Sequence, residues 1–307
     1  MKRYLSLLLK TLVSILILIY LFKKVDLEEV WRLFRHAYMA YLTAALFLYT
    51  MGQILCAYRW KILARTMEFR NPFWEFVRYY FIGMFFNLFL PTAIGGDVGK
   101  CYYLVKEDKR PLEAAISILA DRGSGLVVLV MISGVSLFLL DGIDIPKGVF
   151  WAILLANIFL VLAILIPFFF EGHLSRLHRT LKLSMLYWKR PLPLFQSIMI
   201  SGVFHAMVIS VHILIGLSLG LDIPWRFYFF LIPSVVAVSM LPISLSGLGV
   251  REGAYVYFLS LIDIPETSAL TFAFGWFLIV LMAGLIGGIV LLVDQATRKE
   301  QVTIRDI

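Results

Sequence analysis

The residues able to do chemistry in this chain lie in two short polar strings and one charged pair. LPTAIGGDVGK occupies positions 90–100 and LPISLSGLGVRE positions 241–252. Each opens with a Leu-Pro pair at the end of an apolar run. Each has a glycine five positions after the proline, Gly96 after Pro91 and Gly247 after Pro242. Charge then follows, Asp97 with Lys100 in the first string and Arg251 with Glu252 in the second. The pair is Asp121-Arg122, inside the apolar run 112–140. Charge in such a run is costly in hydrocarbon and marks positions that face an interior. The chemistry these residues suit is capture of an anion, above all a phosphate. Gly95, Gly96 and Gly247 let backbone approach backbone or a headgroup closely. Amides at a helix start bind phosphate, Arg251 and Arg122 offer forks, and Lys100 offers a point charge. Asp97 and Glu252 are placed to neutralise these bases between ligands.

Each residue also has a structural reading. The glycines can serve packing alone, and Lys100 can sit at a cytoplasmic rim under the positive-inside rule. Asp121 and Arg122 point about 100° apart on a helix, so they need not pair. Arg122 has Asp97 or Glu252 as its candidate partner, or bonds its helix to the first string. Pro91 and Pro242 break helices, and Asn87, one turn before Pro91, is expected to satisfy a carbonyl that the proline frees. His205 and His212 share a helix face and suit interhelical hydrogen bonds better than a proton relay, and Gln53 is a similar mid-span polar group.

Covalent chemistry is not indicated. No nucleophile has a matched base, no acid pair flanks a glycosidic bond, and GGDVGK lacks the spacing and preceding strand of a nucleotide loop. Cys56 and Cys101 have no metal spacing, so no metal, cofactor or required disulfide is expected.

The elements that must position these residues are membrane helices. The 307 residues are 61% hydrophobic and 16% charged, with a mean hydropathy of +0.89, which is membrane composition. Six runs are long enough to cross about 30 Å of hydrocarbon: 4–22, 37–58, 112–140, 149–170, 195–219 and 269–293. The first reads as an uncleaved span, not a signal peptide. Two shorter runs, 75–90 and 226–243, end in the Leu-Pro strings and are followed by short segments at 98–106 and 252–262. The fold expected is an all-α polytopic membrane protein with six full spans and two re-entrant or broken-helix hairpins.

The net charge of +8 is divided among short loops, which suits anionic headgroups and argues against nucleic acid. Basic stretches at 59–78, 100–110 and 176–190 and the tail read as cytoplasmic, with both termini inside. The tripeptides Asp144-Ile145-Pro146, Asp222-Ile223-Pro224 and Asp263-Ile264-Pro265 read as helix starts in outer loops. One hairpin then begins inside and the other outside. That order predicts a first repeat over 1–140, an inverted second repeat over 149–293, and a cytoplasmic tail at 294–307, with the broken helices meeting near the midplane. Gly275, Gly284, Gly287 and Gly288 read as close helix packing. The segment 171–193 reads as an amphipathic surface helix on anionic lipid, anchored by Tyr187 and Trp188.

LPTAIGGDVGK at 90–100, DRG at 121–123 and SGLGVRE at 246–252 together resemble the flippase-like membrane domain of the lysylphosphatidylglycerol synthases. The resemblance covers nearly the whole chain. Two positions depart from the family's usual pattern: Lys100 stands where Arg is frequent, and Asp121-Arg122 where Glu-Arg is frequent. The resemblance implies translocation of an anionic lipid, either a phospholipid or a polyprenyl-phosphate-linked glycan. Aminoacyl transfer is not implied, because the segment after the last span is too short for a soluble transferase domain. It leaves room for a lipid synthase as partner. Two alternatives stay open. One is a membrane glycosyltransferase with a lipid-linked donor, which the short outer loops disfavour. The other is a scaffold for a lipid synthase.

Overall fold

The computed structural model describes residues 27–89, 95–140, 143–177, 179–241, 244 and 247–305, with side chains outside Leu27, Phe89, Glu107, 164–182 and 296–305. The run 4–22 and both prolines, Pro91 and Pro242, lie outside the described residues. Among those residues all extended regular structure is helical: α1 (Leu27–His36), α2 (Met39–Thr66), α3 (Phe73–Phe89), α4 (Gly95–Asp108), α5 (Pro111–Leu139), α6 (Lys147–Leu177), α7 (Arg179–Lys189), α8 (Pro191–Ser218), α9 (Tyr228–Ser239), α10 (Val250–Ser260) and α11 (Glu266–Arg305). The protein is therefore an all-α polytopic membrane protein. Met39–Thr66, Pro111–Leu139, Pro191–Ser218 and Glu266–Gln295 are long and apolar enough to span a bilayer, while Lys147–Ala163 and Trp225–Ser239 are shorter apolar helices.

Local signals explain the boundaries. Glu28 and Glu29 open α1, and Arg35 and His36 close it, complementing the helix dipole at both ends. Beyond α2, Glu68 turns the chain at φ 67°, and Arg110 donates to the carbonyls of Met67 and Glu68, satisfying oxygens that a helix end leaves free. Each Asp-Ile-Pro tripeptide does precede a helical start. Val149 N–H donates to the Pro146 carbonyl, Phe227 N–H to that of Pro224, and Ala269 N–H to that of Pro265.

The two Leu-Pro strings join pairs of short helices. α3 and α4 pack on each other, as do α9 and α10. Their lengths of 17, 14, 12 and 11 residues correspond to about 26, 21, 18 and 17 Å at 1.5 Å per residue. Each arm is shorter than the hydrocarbon thickness of about 30 Å, the geometry expected of helical hairpins.

The chain divides into two compact units. One comprises Met1–Leu48, Leu126–Leu165 and His205–Ile279, and holds the α9–α10 hairpin. The other comprises Tyr49–Gly125, Ile166–Phe204 and Val280–Ile307, and holds the α3–α4 hairpin. In this second unit Trp60, Leu63, Phe69, Phe76, Tyr79 and Leu104 form a fully buried core. Trp60 meets Phe76 edge-on at 4.9 Å and donates its indole N–H to Ser117. Leu183 and Leu186 of α7 pack on that core, and Tyr187 is buried, with its hydroxyl donating to the Leu63 carbonyl. Tyr187 is thus a packing residue where the sequence suggested an interfacial anchor. Its phenol found a carbonyl partner inside, which is what a buried hydroxyl requires.

The α11 glycines behave as packing residues. A Cβ at Gly284 would meet Leu88, one at Gly287 the Phe81 carbonyl, and one at Gly288 the Phe85 ring. α11 therefore lies directly against α3 in the second unit. Gly275 plays the same part in the first unit, against Ile215.

Candidate functional site

The second unit gathers five ionisable side chains from three helices. Asp97 stands in the first turn of α4, where a carboxylate favours the helix dipole. Its Oδ2 accepts from Arg122 Nε at 2.7 Å, and its Oδ1 lies 3.4 Å from Lys100 Nζ. One turn of α4 thus presents the acid and Lys100 on the same face. Asp121, the neighbour of Arg122 on α5, turns the other way and accepts from Arg59 Nε at 2.7 Å. Arg59 NH1 donates to Ser201 on α8 at 2.8 Å, and Ser201 donates back to the Ser197 carbonyl. Among the five, Arg59, Lys100 and Asp121 are nearly fully buried. Buried charges of this kind persist only when paired and hydrogen-bonded.

Lys100 is held in an aromatic cage. Its ammonium sits 3.9 Å from the Tyr80 ring centroid and 5.8 Å from that of Trp60, a cation–π arrangement. Its stem passes over Gly83. At 4% exposure it lies inside the second unit and not at a rim. Arg122 differs from its neighbours: half of its side chain is accessible. Among the described residues, Nε is the one nitrogen of Arg122 with a hydrogen-bond partner, so none of them engages the NH1 and NH2 edge of the fork.

The hairpin below this cluster closes backbone to backbone. A Cβ on Gly96 would collide with the Gly83 carbonyl and the Asn87 amide. Gly96 N–H donates to Asn87 Oδ1 at 2.8 Å. Asn87 therefore caps the start of α4 through its Oδ1; the expected bond to a carbonyl freed by Pro91 concerns a proline outside the described residues. The Gly96 amide is already engaged, so Gly96 serves the helix crossing, and Gly95 beside it is buried.

The first unit holds the second charged set. Gly247 and Gly249 adopt φ of 80° and 79°, a left-handed conformation that glycine accepts at little cost. The turn delivers Glu252 so that its Oε2 accepts from Gly249 N–H at 2.7 Å, half of a capping box at the start of α10. Oε1 accepts from Arg251 Nε at 3.0 Å and NH2 at 2.6 Å. Glu252 is 2% exposed and the Arg251 side chain 19%, and the guanidinium also lies 5.7 Å from the Phe277 centroid. This is a closed, neutral pair. Nearby in the same unit His212 Nε2 and Tyr255 Oη are 2.7 Å apart, and His212 Nδ1 lies 2.8 Å from the Val208 carbonyl. His212 stacks on Trp276 at 4.3 Å. His212 is an interhelical hydrogen-bonding group, as its place in an apolar span suggested.

The structure thus brings Asp97, Lys100, Asp121 and Arg122 together in one unit and pairs Arg251 with Glu252 in the other. Arg59 is the site residue that sequence reasoning missed. It was grouped with the loop cations of 59–78, yet it lies inside α2, which continues to Thr66. The signal was present: Trp60, Leu63 and Ala64 keep helical apolar spacing past Arg59. Arg78, from the same stretch, likewise pairs at 2.9 Å with buried Asp294 of α11. Among the described residues no group of three or more His, Cys, Asp or Glu is arranged to hold a metal ion.

Comparison with known proteins agrees with this architecture. The family described as the lysylphosphatidylglycerol synthase TM region matches residues 7–288. The UPF0104 membrane protein MJ1078 of Methanocaldococcus jannaschii is 25% identical over 198 residues, covering 61% of this chain and 83% of that protein. No solved structure matches.

Proposed function

Because this chain belongs to the family of the lysylphosphatidylglycerol synthase transmembrane region, we propose that it translocates an anionic lipid across the cytoplasmic membrane, with both termini on the cytoplasmic side. The observation that carries this reading is Arg122: a half-exposed arginine side chain, set in the spanning helix α5 and paired through Nε with a buried carboxylate. A charge at such a place is expensive unless it has work to do. The carboxylate of Asp97 takes Nε, and no other described residue holds NH1 or NH2, so that edge can fork a phosphate, the geometry in which arginine binds oxyanions best. The lipid would keep its tails in the bilayer while its headgroup meets Arg122. Asp97 would hold Nε whether or not a headgroup is bound, so the guanidinium keeps its aim as headgroups come and go. Arg251, tied at two nitrogens to Glu252, would meet a headgroup only by giving up that pair.

The lipid class covers phospholipids and polyprenyl-phosphate-linked glycans, and a lipid synthase is the natural supplier. The test is translocation of a labelled anionic lipid in vesicles reconstituted with the purified chain. Loss of one charge-assisted bond, worth about 1.5–3 kcal/mol, predicts a fall of roughly tenfold to a hundredfold for Arg122→Gln. An unchanged rate in an Arg122→Gln, Arg251→Gln protein that still melts cooperatively would sink the proposal.

A further inference from the structure

The charges of the second unit do not balance. Arg59, Lys100 and Arg122 supply three positive charges, and Asp97 and Asp121 supply two negative ones. The buried pair of Arg251 with Glu252 in the other unit, by contrast, matches one charge with one. One positive charge is therefore left over in a cluster most of which is inaccessible to water. A surplus charge in a low-dielectric setting attracts one counter-charge and is poorly served by two.

The surplus also has one outlet. Arg59 is locked between Asp121 and Ser201. Lys100 is enclosed by Tyr80, Trp60 and Asp97. Arg122 alone of the three is half-exposed, and its NH1 and NH2 edge, engaged by none of the described residues, offers two donors. Two parallel N–H donors match the two non-bridging oxygens of a phosphodiester, which share a single negative charge. A phosphomonoester or a diphosphate brings a further charge for which the cluster holds no cation.

We infer that the five-residue cluster of Arg59, Asp97, Lys100, Asp121 and Arg122 selects lipids whose headgroup is a singly charged phosphodiester, over lipids ending in a phosphomonoester or linked through a diphosphate. This rests on the anionic-lipid reading above and narrows it. Lys100 acts here through the charge count and not by contact, so it is a specificity residue that the headgroup does not touch.

The experiment is lipid retention by the full-length protein. The chain is purified in detergent micelles of phosphatidylcholine carrying equal amounts of three probes: phosphatidylglycerol, a polyprenyl-phosphate-linked hexose, and phosphatidic acid. Retained lipid is measured by mass spectrometry at about pH 9.5, well above the second ionisation of a phosphomonoester, about 6 in a phosphorylated side chain, so that phosphatidic acid is a dianion. The expected result is enrichment of a phosphodiester over phosphatidic acid by about tenfold, and the one enriched identifies the lipid source. Asp97→Asn raises the surplus to two charges while keeping an acceptor for Arg122 Nε, and is expected to turn the preference toward phosphatidic acid. Lys100→Met removes the surplus with Arg122 intact and is expected to abolish enrichment of both. Equal or greater retention of phosphatidic acid by the native chain overturns the charge count while leaving an anionic-lipid site. Unchanged preference in Asp97→Asn does the same. Retention of none of the three above phosphatidylcholine overturns the headgroup site itself.

Discussion

At the scale of single residues, the most consequential contact is the buried ion pair of Arg59 and Asp121. Both side chains lie at 5% exposure or less. Removing one partner strands the other charge, at a cost of about 3–5 kcal/mol. Arg59→Met and Asp121→Leu are each expected to lower the unfolding midpoint strongly. The double variant should recover much of the loss, because two apolar side chains can replace a buried pair. A melt followed by a thiol-reactive dye reads this directly, since Cys56 is buried and reports opening of the same unit. Strictly additive losses would show that the pair contributes nothing through mutual contact. Tyr255 poses a smaller version of the question. Tyr255→Phe leaves His212 Nε2 without its 2.7 Å partner and is expected to cost about 1–3 kcal/mol, measured in the same melt.

Between helices, backbone proximity is set by missing side chains. Gly96 against Gly83 lets α3 and α4 cross, and Gly287 against the Phe81 carbonyl brings α11 onto α3. Gly287→Val therefore has to push α11 away from the helix that carries Asn87, the cap of α4. The expected outcome is a destabilised protein with weakened Asn87 capping, seen as faster amide exchange at Gly96; native exchange there would contradict it. In the other hairpin, Gly247→Ala places a Cβ at φ 80°, a left-handed conformation costing about 1–2 kcal/mol for other residues. The first turn of α10, which holds Glu252 and Arg251, should loosen accordingly. A melt midpoint equal to that of the native chain would show that the turn tolerates the change.

For the whole molecule, the division into compact units does not follow chain order. α2, α5, α6, α8 and α11 each lend residues to both units, and each unit contains one hairpin. Orientation in the membrane is a separate matter, and loop charge predicts it. Single cysteines at Lys147 or Asp222, both exposed beside the Asp-Ile-Pro helix starts, should react with an impermeant thiol reagent added outside intact cells. One at Arg190 should react only after the membrane is opened. The background carries Cys56→Ala and Cys101→Ala. The reverse pattern would invert the proposed topology.

Membrane class, all-α character and the approximate limits of most described spans were legible in the sequence because they depend on local quantities. Apolar run length decides whether a segment can cross hydrocarbon, and Asp-Ile-Pro sets helix starts wherever it occurs. The two Leu-Pro-to-Gly strings were visible as interruptions for the same reason, and so was the expense of placing Asp121 and Arg122 in a span. Partnership was not legible. Asp97 could have met Arg122 or nothing, and Arg59 looked like a loop cation until α2 was seen to carry it inward to Asp121. Nor could the strings show that Gly96 faces Gly83 or that Arg251 is locked by its own neighbour while Arg122 remains half open. Those facts depend on which helix faces pack together, and packing is settled by shape and charge pairing between segments far apart in the chain.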